Sequence, residues 1–268
     1  MPVPNPTGAR RTGPRGSTRA ARQAERYGTS STTVYDLHLH VLVGVDDGAR
    51  TLDESHAMVT GLAALGYRKV VTTPHIRDGL FPNSPESLLG VFAEWRDALL
   101  AREGALPELA LGAEHHLDAT CLELANAKRL LAYPDGRSVL VELPYETLPP
   151  RLSDACFRIA LGGYKLVLAH PERNRVLREN RNDPWPFAGS KPKLLLDLLA
   201  LEGEYGAEAE RAACDWLDLG YYDAACSDLH RPSQLPKLKA ALETLERRWG
   251  RERRELLLEA GPSGIANP

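Results

Sequence analysis

The four cysteines of this 268-residue chain, Cys121, Cys156, Cys214 and Cys226, include no CxxC pair. That spacing indicates neither a thiolate zinc site nor a disulfide framework, and the expected compartment is a reducing cytosol. No apolar run approaches the roughly 18 residues a membrane-spanning helix requires, and the N-terminus carries no hydrophobic signal segment. A soluble cytoplasmic protein without membrane insertion is expected. A glycine-rich dinucleotide fingerprint is missing too, and Tyr67-Arg68 follows Gly61 and Gly66 where a phosphate-binding loop needs Lys and then Ser or Thr. Net positive charge is found at the start: residues 1–33 hold six arginines against Glu25, a net of +5, which leaves −8 for the rest of a chain at −3 overall. An acidic body argues against a nucleic-acid partner.

The first 33 residues are rich in Pro, Gly, Ser, Thr and Arg with almost no large aliphatics, so a disordered basic tail is expected there. Its simplest reading is a solvated segment without a dedicated role. Residues 34–268 then form one domain, and 43% hydrophobic content is enough to bury a substantial core.

From residue 34 short β-rich runs alternate with stretches of helical period, the pattern of repeated βα units around a parallel sheet. Seven strands are predicted, at 34–39, 67–73, 108–113, 138–143, 164–169, 193–199 and 221–226. Helices are predicted at 52–65, 85–103, 118–131, 150–161, 205–219 and 233–259, with a short one at 174–181. Thr51 with Glu54 forms a capping box for the first, and Ser84 with Pro85 opens the second. Residues 182–192, with Asp183-Pro184-Trp185-Pro186-Phe187, read as an exposed loop. Without a dinucleotide fingerprint, a barrel of the TIM type with one unit missing is preferred over an open sheet.

In such a barrel chemistry sits at the carboxyl ends of the strands, and metal-binding side chains gather there. Strand one ends in His38 and His40, with Asp47 in its loop; two apart on a strand, the two imidazoles face one side and can grip one ion. The pair alone is weak, since with eight histidines roughly one shuffled chain in four would carry one. Strand two, however, runs into His75, strand three into Glu114, strand four into Glu142, strand five into His170 and strand seven into Asp228 and His230. Strand six contributes no ligand type. Nine candidate ligands result, and carboxylates directly after apolar runs would be uncompensated buried charges without a cation. His56, His115 and His116 stay outside the pattern, as a surface residue and as pocket-lining or filler residues.

Nine oxygen and nitrogen donors suit three ions sharing carboxylates, and imidazole with carboxylate suits manganese, iron or zinc in a hydrolytic site. Adjacent ions lower the pKa of a shared water and hold the oxygens of an in-line displacement at phosphorus. Arg173 lies one turn past His170, Arg77 two residues past His75 and Arg231 directly after His230. Guanidinium groups at a metal rim offer planar bidentate donors to phosphate, so all three are candidate substrate-binding residues.

Taken together, DLHLHVLVGVDDG, TPHIRDGLF, LGAEHH, VLVELPYE, LVLAHPERN and ACSDLHR resemble the PHP (polymerase and histidinol phosphatase) superfamily, and within it the bacterial CpsB/YwqE-type tyrosine-protein phosphatases of capsule and exopolysaccharide systems. The resemblance covers about residues 34–262 and implies a distorted seven-stranded βα barrel with a trinuclear, commonly manganese-loaded site. It implies that His38, His40, Glu114 and Asp228 hold a first ion, Glu114, Glu142 and His170 a second, and Asp47, His75 and His230 a third. Glu114, Asp228 and Arg173 would be the catalytic set, with Arg173 stabilising the phosphate. The implied substrate is phosphotyrosine in the C-terminal tail of a bacterial tyrosine kinase. The chain departs from the family pattern at His115-His116, at Arg231, around strand six and in its basic tail.

Thiol chemistry is excluded by the chain itself. A cysteine-dependent phosphatase needs arginine six residues after its nucleophile, and those positions hold Ala127, Gly162, Gly220 and Pro232. Two other readings remain open: a phosphoesterase for a small metabolite such as histidinol phosphate, and a metal-stabilised adaptor without turnover. A polymerase-associated exonuclease fits poorly with the acidic body.

Overall fold

Tyr35–Asp36 (β1) is the first strand of a computed structural model that describes residues 33–185 and 191–267. The expected basic tail falls outside the described residues apart from Thr33. Thr51 caps α1 (Leu52–Ala64), its hydroxyl accepting from the Glu54 N–H. The capping box is only half formed, because the Glu54 carboxylate accepts from Arg50 N at 2.9 Å instead. The chain continues through β2 (Lys69–Thr72), β3 (His75–Ile76) and α2 (Pro85–Leu100), whose Ser84 cap exchanges hydrogen bonds with Ser87. Then follow β4 (Glu108–Leu111), β5 (Glu114–His116), α3 (Ala119–Asn126), β6 (Ser138–Glu142), α4 (Leu152–Leu161), β7 (Lys165–Ala169) and α5 (Arg175–Glu179). The last elements are β8 (Lys193–Asp197), α6 (Ala207–Asp218), β9 (Ala224–Cys226), α7 (Leu235–Glu255) and α8 (Gly261–Ala266).

Every strand pairing is parallel, in a three-stranded sheet β1-β2-β4 and a six-stranded sheet β3-β5-β6-β7-β8-β9. The second and third predicted strands are each divided in two. β2 stops ahead of Pro74, which has no N–H to donate to a ladder, and β4 stops ahead of Gly112; each chain resumes in the other sheet as β3 and β5. Past β1, Leu39 pairs in parallel with Leu229, while Asp228 N donates to His38 O and His40 N to Leu229 O, both at 2.9 Å.

Alternation along the strands builds the floor of the site. Leu140 and Glu142 on β6, and Leu195 and Asp197 on β8, are each two residues apart and therefore share a face, while Cys226 ends β9 and Asp228 follows just past it. Leu140, Leu195 and Cys226 belong to a buried cluster with Tyr35, Leu37 and Val167, and the carboxylates stand one step further along. Ile265 and Ala266 of α8 belong to the same cluster.

The predicted helix at 233–259 does not run through. Gly250 interrupts α7 at φ 82°, a π-helical turn spans Leu256–Ala260, and Gly261 starts α8 where a Cβ would lie 1.9 Å from Asp223 O. Only glycine permits that approach. Pro184 and Trp185 are buried, with Trp185 3% exposed, so the exposed loop expected at 182–192 is corrected at these two residues; residues 186–190 lie outside the described set. Among the described residues no helix is long and apolar enough to cross a membrane.

Candidate metal centre

All nine candidate ligands converge, drawn from the ends of six predicted strands. Glu114, at the start of β5, sits in the middle: its carboxylate lies 3.0 Å from His75 Nδ1, 3.0 Å from His170 Nε2, and 3.5 Å from both His38 Nε2 and His40 Nε2. Asp228 Oδ1 is 3.0 Å from His38 Nε2 and 3.3 Å from His40 Nε2. Asp47 Oδ1 lies 3.3 Å from His230 Nε2 and 3.6 Å from His75 Nε2, and Glu142 Oε1 is 3.9 Å from His170 Nε2. Four groups bring their ligand atoms within 4.8 Å of one another: His40, Asp47, His75 and His230; His38, Glu114 and His170; His38, His40 and Asp228; and His75, Glu114 and Glu142.

The donor atoms meet without satisfying one another. His38 Nε2, His40 Nε2, His75 Nδ1, Glu114 Oε2 and Asp228 Oδ1 are all buried, and none has a hydrogen-bond partner. Orphaned buried polar atoms cost about 1–3 kcal/mol each, so five of them aimed at one space fit the donor set of a cation-binding site. Burial alone would raise the carboxyl pKa of Glu114, but His38 and His75 hold it well below the usual range. Asp228 behaves alike, with His38 and His230 overcoming its burial. Both are thus held in the carboxylate form. His170 and Asp228 are also held at φ 27° and 45°, a conformation that strains non-glycine residues and is concentrated at functional sites.

The opposite sides of the ligands are fixed by partners that the sequence did not single out. Asp46 Oδ2 lies 2.7 Å from His40 Nδ1, Thr73 Oγ1 2.6 Å from His38 Nδ1, and the Asp228 carbonyl 2.9 Å from His230 Nδ1. His116 Nδ1 lies 3.0 Å from Glu142 Oε2. Such outer contacts set tautomer and ring orientation. His115, one residue along the strand, faces away: it is fully buried against Leu131 O, and burial lowers its pKa to about 4.

Arg173 sits against the centre. Its Nη1 donates to Asp228 Oδ2 at 2.6 Å, its Nη2 to the Tyr145 hydroxyl at 2.7 Å, and the guanidinium stacks 4.6 Å from the Tyr145 ring and 4.2 Å from the Tyr205 ring. Behind it lies Asp197, fully buried, 3.8 Å from Arg173 Nη1, with Oδ2 unsatisfied. Strand six therefore does bring a carboxylate to this end. The signal was present, since Asp197 follows the apolar run Leu194-Leu195-Leu196 as Glu142 follows its own, but the predicted strand extended to 199 and hid it.

The other two arginines are used differently. Arg231 Nη1 donates to the carbonyls of Asp47 at 2.7 Å and His230 at 2.6 Å, and to that of Gly48. It thereby ties the Asp47 loop to the end of β9. The loop is tight here, because a Cβ on Gly48 would fall 2.2 Å from His40 O. Arg231→Ala is expected to weaken metal binding about 10- to 100-fold with the fold retained, the range found for outer-shell partners, as measured by titration calorimetry with manganese. Unchanged affinity would remove this tether from the account. Arg77 makes no side-chain hydrogen bond or ion pair among the described residues, and it borders a cavity of about 280 Å³ with His116, Glu142 and Tyr145.

Residues 34–267 match the family model for capsular polysaccharide synthesis, CpsB/CapC. The chain belongs to the CpsB/CapC family. Tyrosine-protein phosphatase YwqE of Bacillus subtilis is 26% identical over 225 residues, covering 84% of this chain and 88% of that protein. Tyrosine-protein phosphatase CpsB of Streptococcus pneumoniae is 26% identical over 244 residues, covering 86% and 97%. A structure from the crystallographic pair of YwqE and CpsB, described as unique metal-dependent tyrosine phosphatases, superposes with a TM-score of 0.71 at 24% identity, covering 83% of this chain and 90% of that one. At that identity the superposition speaks for a shared fold alone, and so does that with the lactonase Lmo2620 of Listeria monocytogenes, at TM-score 0.52 and 13% identity. Within this CpsB/CapC member the metal-type residues are all present.

Proposed function

We propose that this chain is a metal-dependent tyrosine-protein phosphatase with a trinuclear centre in a distorted seven-stranded barrel. The observation that carries the reading is the set of five buried, unpartnered donor atoms converging among nine ligands. The Leu39–Leu229 pairing supports closure of the barrel between its first and last strands. The ligand sets are His38, His40, Glu114 and Asp228; Glu114, Glu142 and His170; and Asp47, His75 and His230. His40 also stands beside Asp47, and His75 beside Glu142, so neighbouring sets share a wall. The donors fit manganese, and iron or zinc as well.

Divalent ions bound there supply Lewis acidity, bringing the pKa of water toward neutrality and offsetting charge on a phosphate. The chain's own residues do the positioning. Asp46 and Thr73 fix the His40 and His38 rings so that each Nε2 points inward. Arg173, in cation–π contact with the Tyr145 and Tyr205 rings, offers a guanidinium to phosphate oxygens while Asp228 Oδ2 anchors it. Phenolate, with a pKa of about 10, leaves without strong acid assistance. The proposed substrate is a phosphotyrosine protein, in this family's setting the tail of a tyrosine kinase acting in the cytoplasm on capsule or exopolysaccharide synthesis.

The test is a phosphate-release assay comparing a phosphotyrosine peptide with histidinol phosphate, with EDTA and manganese arms. Manganese-dependent turnover favouring the peptide is expected. Preference for histidinol phosphate would replace this reading with the small-metabolite one, and no release from either substrate would leave an adaptor.

A further inference from the structure

We propose that the cavity beside the centre is an aryl subsite that seats the phenyl ring of the phosphorylated residue, an inference that rests on phosphate being held at Arg173 as above. The cavity of about 280 Å³ is bordered by Arg77, His116, Glu142 and the segment 143–147. Two of these residues connect it to the reacting position. Glu142 Oε1 looks toward His170, and the Tyr145 hydroxyl accepts from Arg173 Nη2 at 2.7 Å. A group attached to a phosphate at Arg173 therefore has this space within reach.

Size and chemistry select the occupant. A dry cavity of about 150 Å³ already admits benzene, so an aryl ring fits. Leu143 and Pro144 give apolar wall, and the His116 ring is fixed in place by its contact with Glu142. Glu142 is taken up by His116 at 3.0 Å and Glu146 by Arg175 at 3.2 Å, and as carboxylates neither offers a donor to a second anionic group. Arg77 contributes a guanidinium unpaired among the described residues, which suits the negative face of an aromatic ring. A neutral aromatic ring satisfies the volume, the apolar wall and the guanidinium together, whereas a phosphate or carboxylate would be set against the apolar wall of Leu143 and Pro144. Arg77 accordingly recognises the leaving group rather than the phosphate.

The test measures binding of phenylphosphonate and methylphosphonate, neither of which is hydrolysed, to the manganese-loaded protein, alongside turnover of a phosphotyrosine peptide. Wild-type protein should hold phenylphosphonate about tenfold or more tighter, the scale expected from burying an aromatic ring. Thr147→Trp, which puts an indole at a residue lining the cavity, should erase that preference and leave methylphosphonate affinity unchanged. Arg77→Ala should reduce the preference about threefold or more, in the range of one cation–π contact. Equal affinity for the two phosphonates in wild type, or an unchanged preference in both variants, overturns the subsite even if the peptide is hydrolysed. Conversely, a phenyl preference lost in the variants without any peptide turnover keeps the subsite and defeats the phosphatase reading.

Discussion

Glu114→Gln is expected to cost at least about a hundredfold in turnover and to lower manganese stoichiometry, with the circular dichroism of the folded protein unchanged. Loss of a mere outer partner of a metal ligand is worth about 10- to 100-fold, and Glu114 is more central than that. Its two oxygens lie within 3.5 Å of nitrogens from His38, His40, His75 and His170. Glutamine keeps the shape but turns one oxygen into a donor and removes the charge. An amide N–H facing an imidazole lone pair can form a hydrogen bond, so the metal-free protein tolerates the change; facing a cation, it repels. Manganese titration by calorimetry and a phosphate-release assay check both halves. Full stoichiometry together with wild-type turnover would show that Glu114 is not the hub of the centre.

Glu172→Gln is expected to stabilise the protein at pH 8 and to change little at pH 5. Glu172 is fully buried, its carboxylate accepting from Asp197 N at 2.8 Å and from the Tyr222 hydroxyl at 2.9 Å. Burial raises its pKa from 4.5 to about 7, even with Arg173 adjacent. Between those values the folded protein retains a proton that the unfolded chain has released. Its contribution is therefore most favourable below the unfolded value and is lost as pH rises through about 7. The shift corresponds to about 3 kcal/mol at high pH, since one pKa unit is about 1.4 kcal/mol. Glutamine mimics the protonated acid and removes the penalty. Urea denaturation of both proteins from pH 5 to 8 reads the difference directly, because Asp36, also raised by burial to about 6, titrates alike in each. Parallel stability curves would mean that Glu172 is ionised in the folded protein throughout.

The strands and their ligands were legible for one reason. A parallel strand buried on both faces reads as a continuous apolar run, and the first polar residue after it marks the carboxyl end. Val139-Leu140-Val141 before Glu142 and Leu166-Val167-Leu168-Ala169 before His170 are the clearest cases. The helix ends were legible to within a few residues through Thr51 and Ser84. The division of strands two and three was not, although Pro74 and Gly112 mark the places, because moving a chain from one sheet to another depends on what its neighbours offer to pair with.

The sequence by itself therefore determined the alternating α/β order and the identity of nine metal-type residues, since each of these follows from local periodicity and composition. Only the tertiary structure decided how those residues group and what holds them. His75 joins both Asp47 and Glu114, Arg231 is spent on the Asp47 and Gly48 carbonyls, Asp197 lies behind Arg173, and His116 steadies Glu142 across the strands. Each of these contacts joins residues on different strands or loops. Their distances are fixed by the stagger between neighbouring strands and by the paths of the loops, and neither leaves a periodic trace in the residues that make them.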